Sequence, residues 1–376
     1  MKTALIHDWL ITEGGAEKVL SALGTLFPGP IHTLFYDEKK MGHLSFVKEK
    51  IHTSFLQKIP FSLRYYRMLL PFFPCAIEKL DLSEVDFILS SSHAVAKGIS
   101  KRKDQLHICY CHTPIRYAWD LKDSYLKPLN PLKRLIATFL LERIRKWDLK
   151  SSSRVDAFIA NSHYVADRIK RNYQRDSVVI YPPVEIEKFF LSKQREDYYI
   201  THSRLVPYKR LDLLVEAFSQ MPERRFLIVG KGPEEKRLKS LAKSNVEFLG
   251  YLQEEELSSF LSKARAYVFA AEEDFGISVV EAHASGLPVI ALKKGGVLEI
   301  VLDGVTGVFF EEADVFSIIK AVRAFEEKED LFDSEVIRKR AETFSLQRFQ
   351  KEISQFVLQE KRSFYESCHF SGRERD

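Results

Sequence analysis

Short β-rich runs followed by helical patterns recur along this chain, and that alternation leaves few architectures open to it. TALIHDW precedes AEKVLSALGTLF, PIHTLFY follows, DFILSSS precedes HAVAKGIS, HICYCH follows, DAFIANS precedes HYVADRIKRNY, and SVVIYPP closes the series. A strand that returns through a helix to pair with an earlier strand builds a parallel sheet with helices on its faces. After the charged stretch EKFFLSKQRED the pattern starts again. YYITHSRL, RFLIVG, VEFLG, AYVFA, PVIAL and TGVFF read as six strands, separated by the helical KRLDLLVEAFSQM, EEKRLKSLAKS, EEELSSFLSKA, ISVVEAHAS and VLEIVLD. The expected fold class is therefore α/β, with two Rossmann-like doubly wound domains over residues 1–184 and 198–343, joined near residues 184–197 and facing a cleft. A length of 376 residues agrees with two cores. The spacing of Phe344, Leu346, Phe349, Ile353, Phe356 and Val357 predicts a helix over 344–366 that packs on the first domain, with a hinge near residue 190 and a polar tail over 367–376.

Several function classes drop out early. MKTALIHDWL lacks the cationic segment, long apolar core and small-residue cleavage site of a signal peptide and reads as a first strand. MLLPFFPCAI, among the longest apolar runs, falls far short of the roughly 20 residues a spanning helix needs. Cys75, Cys109, Cys111 and Cys368 have no zinc-ligand spacing, and a reduced, cytoplasmic chain is the simplest account. No metal site and no cofactor are expected. The formal charge of +5 is modest and comes without an aromatic-basic reading motif, which argues against a nucleic-acid partner.

The loops at the strand ends carry the candidate site residues. In TEGGAEKVL, Gly14 and Gly15 open a helix, either as a plain turn or to let phosphate or sugar oxygens approach the helix N-terminus. In SRLVPYKR, Arg204 and Lys209 stand at a strand end and the next helix start, either as a solvated basic loop or as the partners of a diphosphate. VGKGP brings Gly230 and Gly232, against whose backbone the flat face of a base would lie. His112 ends the strand HICYCH, where a polar terminus is the plain reading. In AEEDFGISVVEAHASGLPVIALKKGG, Glu273 and Glu281 stand eight positions apart. Glu281 lies in a small, apolar helical stretch where burying an unpaired carboxylate is costly, so it calls for a partner.

Together GGAEKV, SRLVPYKR, IVGKGP and EDFGISVVEAHASGLPVIALKKGGVLEIVLDGVTGVFF resemble the retaining glycosyltransferases of family four, which have the two-Rossmann GT-B fold. The resemblance covers nearly the whole chain. SSSHAVAKG, YCHTPIRYAWD, FIANSHYVADRI and VIYPPV are similar to the bacterial mannosyltransferases that build O-antigen and exopolysaccharide. By this resemblance Glu273 faces the hydroxyls of the donor sugar, the amides of Phe275, Gly276 and Ile277 approach sugar and phosphate, and Glu281 accepts from the ribose hydroxyls. Arg204 and Lys209 then neutralise the departing diphosphate without a metal, and His112 lies beside the transferred sugar. The implied donor is a nucleotide sugar, GDP-mannose first and UDP-linked hexoses second. The implied acceptor is a glycan or a lipid-linked sugar. A non-catalytic glycan-binding protein is the alternative from another class.

One segment bears on the acceptor. Between Lys133 and Arg154 the chain places seven Lys or Arg against two acids, with Leu135, Ile136, Phe139, Leu140, Ile144 and Trp147 as an apolar stripe. Such a basic amphipathic helix (133–154) either lies on an anionic membrane surface or packs on the core with a solvated basic face. FSLRYYRMLLPFFP, residues 61–74, is a candidate second contact.

Overall fold

The computed structural model describes residues 2–42, 50–120, 122–127, 129–192 and 194–373 and divides into two compact units. Unit 1 comprises Met1–Tyr181 and Phe349–Asp376, and unit 2 comprises Pro182–Arg348.

Unit 1 is built on parallel strands β1 (Thr3–His7), β2 (Ile31–Thr33), β3 (Ile51–Thr53), β4 (Phe87–Ser92), β5 (Leu106–Cys111), β6 (Ala157–Ala160) and β7 (Val178–Val179), in the order β3-β2-β1-β4-β5-β6-β7. Helices cover both faces, so β4 and β5 are buried at every residue, as parallel strands require. β3 is the strand the periodicity does not announce, since three residues, IHT, are too few to show an alternation. Unit 2 holds parallel strands β8 (Tyr198–His202), β9 (Arg225–Val229), β10 (Val246–Gly250), β11 (Ala266–Phe269), β12 (Val289–Leu292) and β13 (Gly307–Phe310), in the order β10-β9-β8-β11-β12-β13. The strand order reverses between β1 and β4 in unit 1 and between β8 and β11 in unit 2. At such a switch point the loops leave the carboxyl ends in opposite directions and open a crevice.

Two expected helices shorten to single turns. HAVAKGIS forms only the turn Ala96–Gly98. The backbone N–H groups of His93, Ala94, Val95 and Ala96 are drawn instead to the carboxylate of Asp8, at 2.5–2.9 Å. VLEIVLD likewise keeps only the turn Gly296–Glu299, followed by Ile300 and Val301, which are buried.

The segment expected as a hinge is fixed inside unit 2. Arg338 Nη1 donates to the carbonyl of Phe189 at 2.6 Å, and Arg195 donates to the carbonyls of Ser262, Ala264 and Gly286. The chain passes between the units at Tyr181–Pro182 and again at Arg348–Phe349. Beside these passages Val184 pairs with Ser345, through Val184 N–H to Phe344 O and Leu346 N–H to Val184 O. The last helix, Leu346–Arg373, buries Phe349, Ile353 and Val357, and Phe349 meets the ring of Tyr110 edge-on at 5.9 Å. It stays helical past Glu366, where the sequence reading expects a tail. A helix already nucleated extends at little cost through SFYESCHF, which has no proline or glycine. Cys368 lies beyond the described side chains.

The basic amphipathic segment is a 22-residue helix, Pro131–Ser152. Its stripe divides along its length. Leu141 and Ile144 are buried and Trp147 donates from its indole nitrogen to Glu78, while Leu132, Leu135, Ile136 and Phe139 in the first half are exposed. What fixes the second half is the pair Lys97–Asp148, both side chains fully buried with 2.6 Å between nitrogen and oxygen. Asp148 also accepts from Trp119 and the hydroxyl of Tyr173. Burial works against the Lys97 charge, and Asp148 outweighs it, so the pKa stands above the ordinary lysine value.

Several histidines are buried as neutral rings. His283, with Nε2–H directed to the carbonyl of Thr306 at 3.1 Å, is pushed by burial down to about 3, and His107 beside Ser90 also to about 3. The unfolded chain takes up a proton on each below about pH 6.5 and the folded chain does not, so stability is whole above that pH and falls below it. Urea unfolding of His283→Asn, compared with the parent from pH 7 to pH 4, is expected to lose less stability by about 1.4 kcal/mol per pH unit below 6.5.

Candidate functional site

At the carboxyl end of β8 the chain reads His202-Ser-Arg-Leu, and at that of β11 it reads Ala-Ala-Glu-Glu-Asp-Phe-Gly. These are the two strands of the unit 2 switch point. Glu281 finds its partner there: its Oε2 lies 2.8 Å from Nε2 of His202, and both side chains are about nine-tenths buried. His202 in turn is held by Tyr267, whose hydroxyl donates to the His202 carbonyl at 3.0 Å. Glu273 forms an ion pair with Lys209. Burial opposes the Lys209 charge, but Glu273, with Tyr208, outweighs it and raises the pKa above the ordinary value. Lys209 reaches this position because Arg210 adopts the left-handed region, φ 51°, and turns the chain directly from the short turn Pro207–Lys209 into the helix Leu211–Ser219.

The backbone between the two glutamates forms a helix start. Gly276, φ 110°, precedes the helix Ile277–Ala284, whose first N–H groups have no intrahelical acceptor and whose dipole is positive at this end. Phe275 is buried against Phe344, ring centroids 5.5 Å apart. The loop after β12 closes over this start: Gly296 N–H donates to the Glu273 carbonyl at 2.8 Å. A Cβ on Gly296 would come within 2.4 Å of the Asp274 carbonyl oxygen, and one on Gly295 within 2.5 Å of the Glu273 carbonyl oxygen. The KKGG pair is thus a packing requirement of the glutamate loop.

The other predicted residues of unit 2 fare differently. Arg204 is exposed on the loop after β8. Gly230 and Gly232 face their own chain: a Cβ on either would meet the carbonyl oxygen of Ser203 at 1.9 Å or of Leu205 at 2.3 Å. These two glycines are demanded by the contact of the β9 loop with the β8 loop.

Unit 1 gathers polar side chains at its own switch point. His112, at the end of β5, is buried, with Nε2 2.8 Å from Ser91 Oγ. Burial, then the neighbouring His93 and His7, holds its pKa well below the ordinary histidine value, so the ring is neutral at pH 7. Ser91 Oγ also lies 3.2 Å from His7 Nδ1, and His7 Nε2 lies 3.3 Å from Glu17 Oε1. Gly14 and Gly15 lead into the helix Gly15–Leu26 that carries Glu17, and a Cβ on Gly14 would press on Glu17 at 3.2 Å. Asp8 is fully buried. Burial alone would raise its pKa, yet His93, His7 and the backbone donors hold it below the ordinary value. His93 is itself depressed by burial despite Asp8, and the four amides add their hydrogen bonds to the effect of the two rings.

Sequence reasoning missed His7, Asp8, Glu17, Ser91, His93 and His202. The signal available was their position: HD, SSSH and TH each close a strand at a switch point. Of the residues it named, Lys209, Glu273, Phe275, Gly276, Ile277 and Glu281 share one end of the unit 2 sheet, while His112, Gly14 and Gly15 belong to unit 1.

Residues 184–343 match the family described as Glycosyl transferases group 1, and residues 31–188 match Glycosyltransferase Family 4, so the two together take in residues 31–343. Each half of the chain is thus similar to a glycosyltransferase family, and the fold is GT-B. An uncharacterized glycosyltransferase of Methanocaldococcus jannaschii is 30% identical over 162 residues, 42% of this chain and 46% of that protein. A GDP-mannose-dependent monoacylated α-(1-6)-phosphatidylinositol monomannoside mannosyltransferase of Corynebacterium glutamicum is 38% identical over 129 residues, 30% of this chain and 34% of that protein. These matches thus span less than half the length of either relative. Among solved structures, Anabaena HepE in complex with UDP and glucose superposes with a TM-score of 0.70 at 19% identity, covering 95% of this chain and 99% of that one, which shows a shared fold.

The two kinds of glycine in this chain are separable by experiment. Gly304 has φ 72° and open space where a Cβ would go, whereas Gly296 needs room and not a special φ. Gly304→Ala is expected to cost about 1–2 kcal/mol, and Gly296→Ala about 3 kcal/mol, both read from urea unfolding.

Proposed function

We propose that this chain is a retaining, metal-independent hexosyltransferase that moves mannose from GDP-mannose to a lipid-linked or polysaccharide acceptor in cell-surface glycan synthesis. The observation that carries the reading is the pairing of a buried and a partly buried carboxylate with two basic side chains across one helix start, Glu281 with His202 and Glu273 with Lys209. Glu281, oriented by His202, takes the ribose hydroxyls, since a carboxylate accepts two hydroxyl donors well. The N–H groups of Phe275, Gly276 and Ile277 and the positive helix end meet the phosphate. Lys209 and the exposed Arg204 carry the positive charge that a departing diphosphate needs, in place of a cation. Glu273 serves the sugar hydroxyls and holds Lys209 until the donor competes for it. His112 lies beside the transferred sugar, and the acceptor attacks from the face the phosphate leaves, with a phosphate oxygen taking its proton.

The choice of GDP-mannose rests on the likeness of HTPIRYAWD and YPPV to mannosyltransferases and on the C. glutamicum relative, a GDP-mannose-dependent mannosyltransferase. The second reading, a UDP-hexose donor, is favoured by HepE, which was solved with UDP and glucose. A thermal-shift panel of GDP-, UDP- and ADP-sugars decides between them, because a ligand at a hundredfold its Kd stabilises by roughly 2.7 kcal/mol. No shift with any GDP compound sinks the first reading. In the same assay Glu281→Ala is expected to weaken nucleotide binding by about tenfold to a hundredfold. Glu273→Ala is expected to lower kcat while leaving that binding near the parent value. Equal losses of binding in both would refute the division of roles.

A lipid-linked acceptor requires contact with a membrane surface, and no described helix is long and apolar enough to cross one. The first half of the Pro131–Ser152 helix supplies exposed Leu132, Leu135, Ile136 and Phe139 beside Lys133, Arg134 and Arg143. Phe61 and Met68, each 75% exposed, add apolar surface on the same unit. Leu135→Glu with Phe139→Glu is expected to reduce co-sedimentation with phosphatidylglycerol vesicles at least about tenfold without a change in melting temperature, since each burial is worth roughly 1.5–3 kcal/mol. Unchanged sedimentation would remove this surface from the proposal.

A further inference from the structure

Ser91 and His7 are direct neighbours across β4 and β1, paired in register, so their side chains leave the sheet on one face. His112 follows the end of β5, its own N–H bonded to the Ser92 carbonyl at 2.8 Å. Glu17, His7, Ser91 and His112 therefore form an unbroken chain of contacts of 3.3, 3.2 and 2.8 Å, all among side chains almost wholly withdrawn from water. A chain of this kind has a direction, because each member must give where the next receives. Glu17 is the third residue of its helix, where the helix dipole favours the ionised carboxylate, and a carboxylate only accepts. With a single proton on the His7 ring, that proton stands on Nε2, toward Glu17. His7 Nδ1 is then an acceptor and takes the hydroxyl proton of Ser91. The Ser91 oxygen, having given its proton, receives from His112, whose proton must stand on Nε2.

We infer that Glu17, His7 and Ser91 act as positioning residues that fix His112 as the Nε2–H tautomer, leaving Nδ1 as a lone-pair acceptor for a hydroxyl of the bound ligand. That the ligand is a sugar rests on the function proposed above; the tautomer does not. The opposite tautomer would present an N–H and select an acceptor oxygen instead, so the relay decides which kind of group His112 recognises. The neutral state of the His112 ring is a condition of this choice, since an imidazolium donates from both nitrogens.

The test is a long-range proton–nitrogen NMR spectrum of the full chain labelled with ¹⁵N-histidine, with the His112 signals assigned by their loss in His112→Gln. In the parent at neutral pH, Nε2 is expected to be protonated and Nδ1 bare. Glu17→Gln, which donates to His7 as readily as it accepts, is expected to bring up a second His112 pattern with the proton on Nδ1. Ser91→Ala should do the same, whereas Ser91→Thr, which keeps the hydroxyl, should retain the parent pattern. A proton on Nδ1 in the parent overturns the inference. So does an unchanged tautomer in Glu17→Gln with the parent's melting temperature, a result that decides the matter even if Ser91→Ala fails to fold. No nucleotide sugar enters the experiment, so a failure of the proposed transferase activity and a failure of the relay are read separately.

Discussion

A carboxylate taken out of water must be met by donors, and the way Asp8 is met shapes the whole of unit 1. Four successive backbone N–H groups, from His93 to Ala96, converge on its two oxygens. Amides so gathered form an anion-binding concavity of the kind otherwise offered to phosphate, and here the protein fills it with its own side chain. The loop after β4 is thereby bound to the end of β1, which sets the bend that carries Lys97 inward to Asp148. Asp148 in turn holds the long helix Pro131–Ser152 against the sheet. One buried charge at the first strand end thus determines where a helix more than a hundred residues later is moored.

Unit 2 solves the same problem with side chains. Glu281 and Glu273 are each paired with a basic side chain, and that difference has a consequence for exchange. A ring of four amides cannot be given up without breaking backbone structure. A lysine on a flexible stem can turn from one anion to another at the cost of its own rotamer freedom. The exchangeable pairs accordingly sit where a ligand is proposed to enter, and the fixed one where the scaffold needs support.

How far this was legible in sequence follows from range. Both sheets can be read from the alternation of strands and helices, because periodicity is local and the parallel strands are buried on both faces. β3 and the two shortened helices were not legible: three residues carry no period, and the amides of HAVAKGIS are diverted by an aspartate 85 positions earlier. EDFGISVVE declares a strand end, a turn and a helix start within nine residues. Its partners do not declare themselves, since His202 is 79 positions from Glu281 and Lys209 64 from Glu273. The relay at His112 is harder still, for Ser91 reads as one of three serines in a strand, and only the register with His7 singles it out. Gly230 and Gly232 show that a glycine signal also answers to the protein's own backbone, a contact no local pattern reveals.

The discontinuity of unit 1 bears on the order in which the molecule is made. Its last helix buries Phe349, Ile353 and Val357 and sets Phe349 against Tyr110, yet these residues follow all of unit 2 in the chain. During synthesis, unit 2 has its full complement of strands before the ribosome delivers the segment that covers Tyr110. The N-terminal unit, first to emerge, is therefore the last to be closed, and until then it keeps an apolar face open to chaperones.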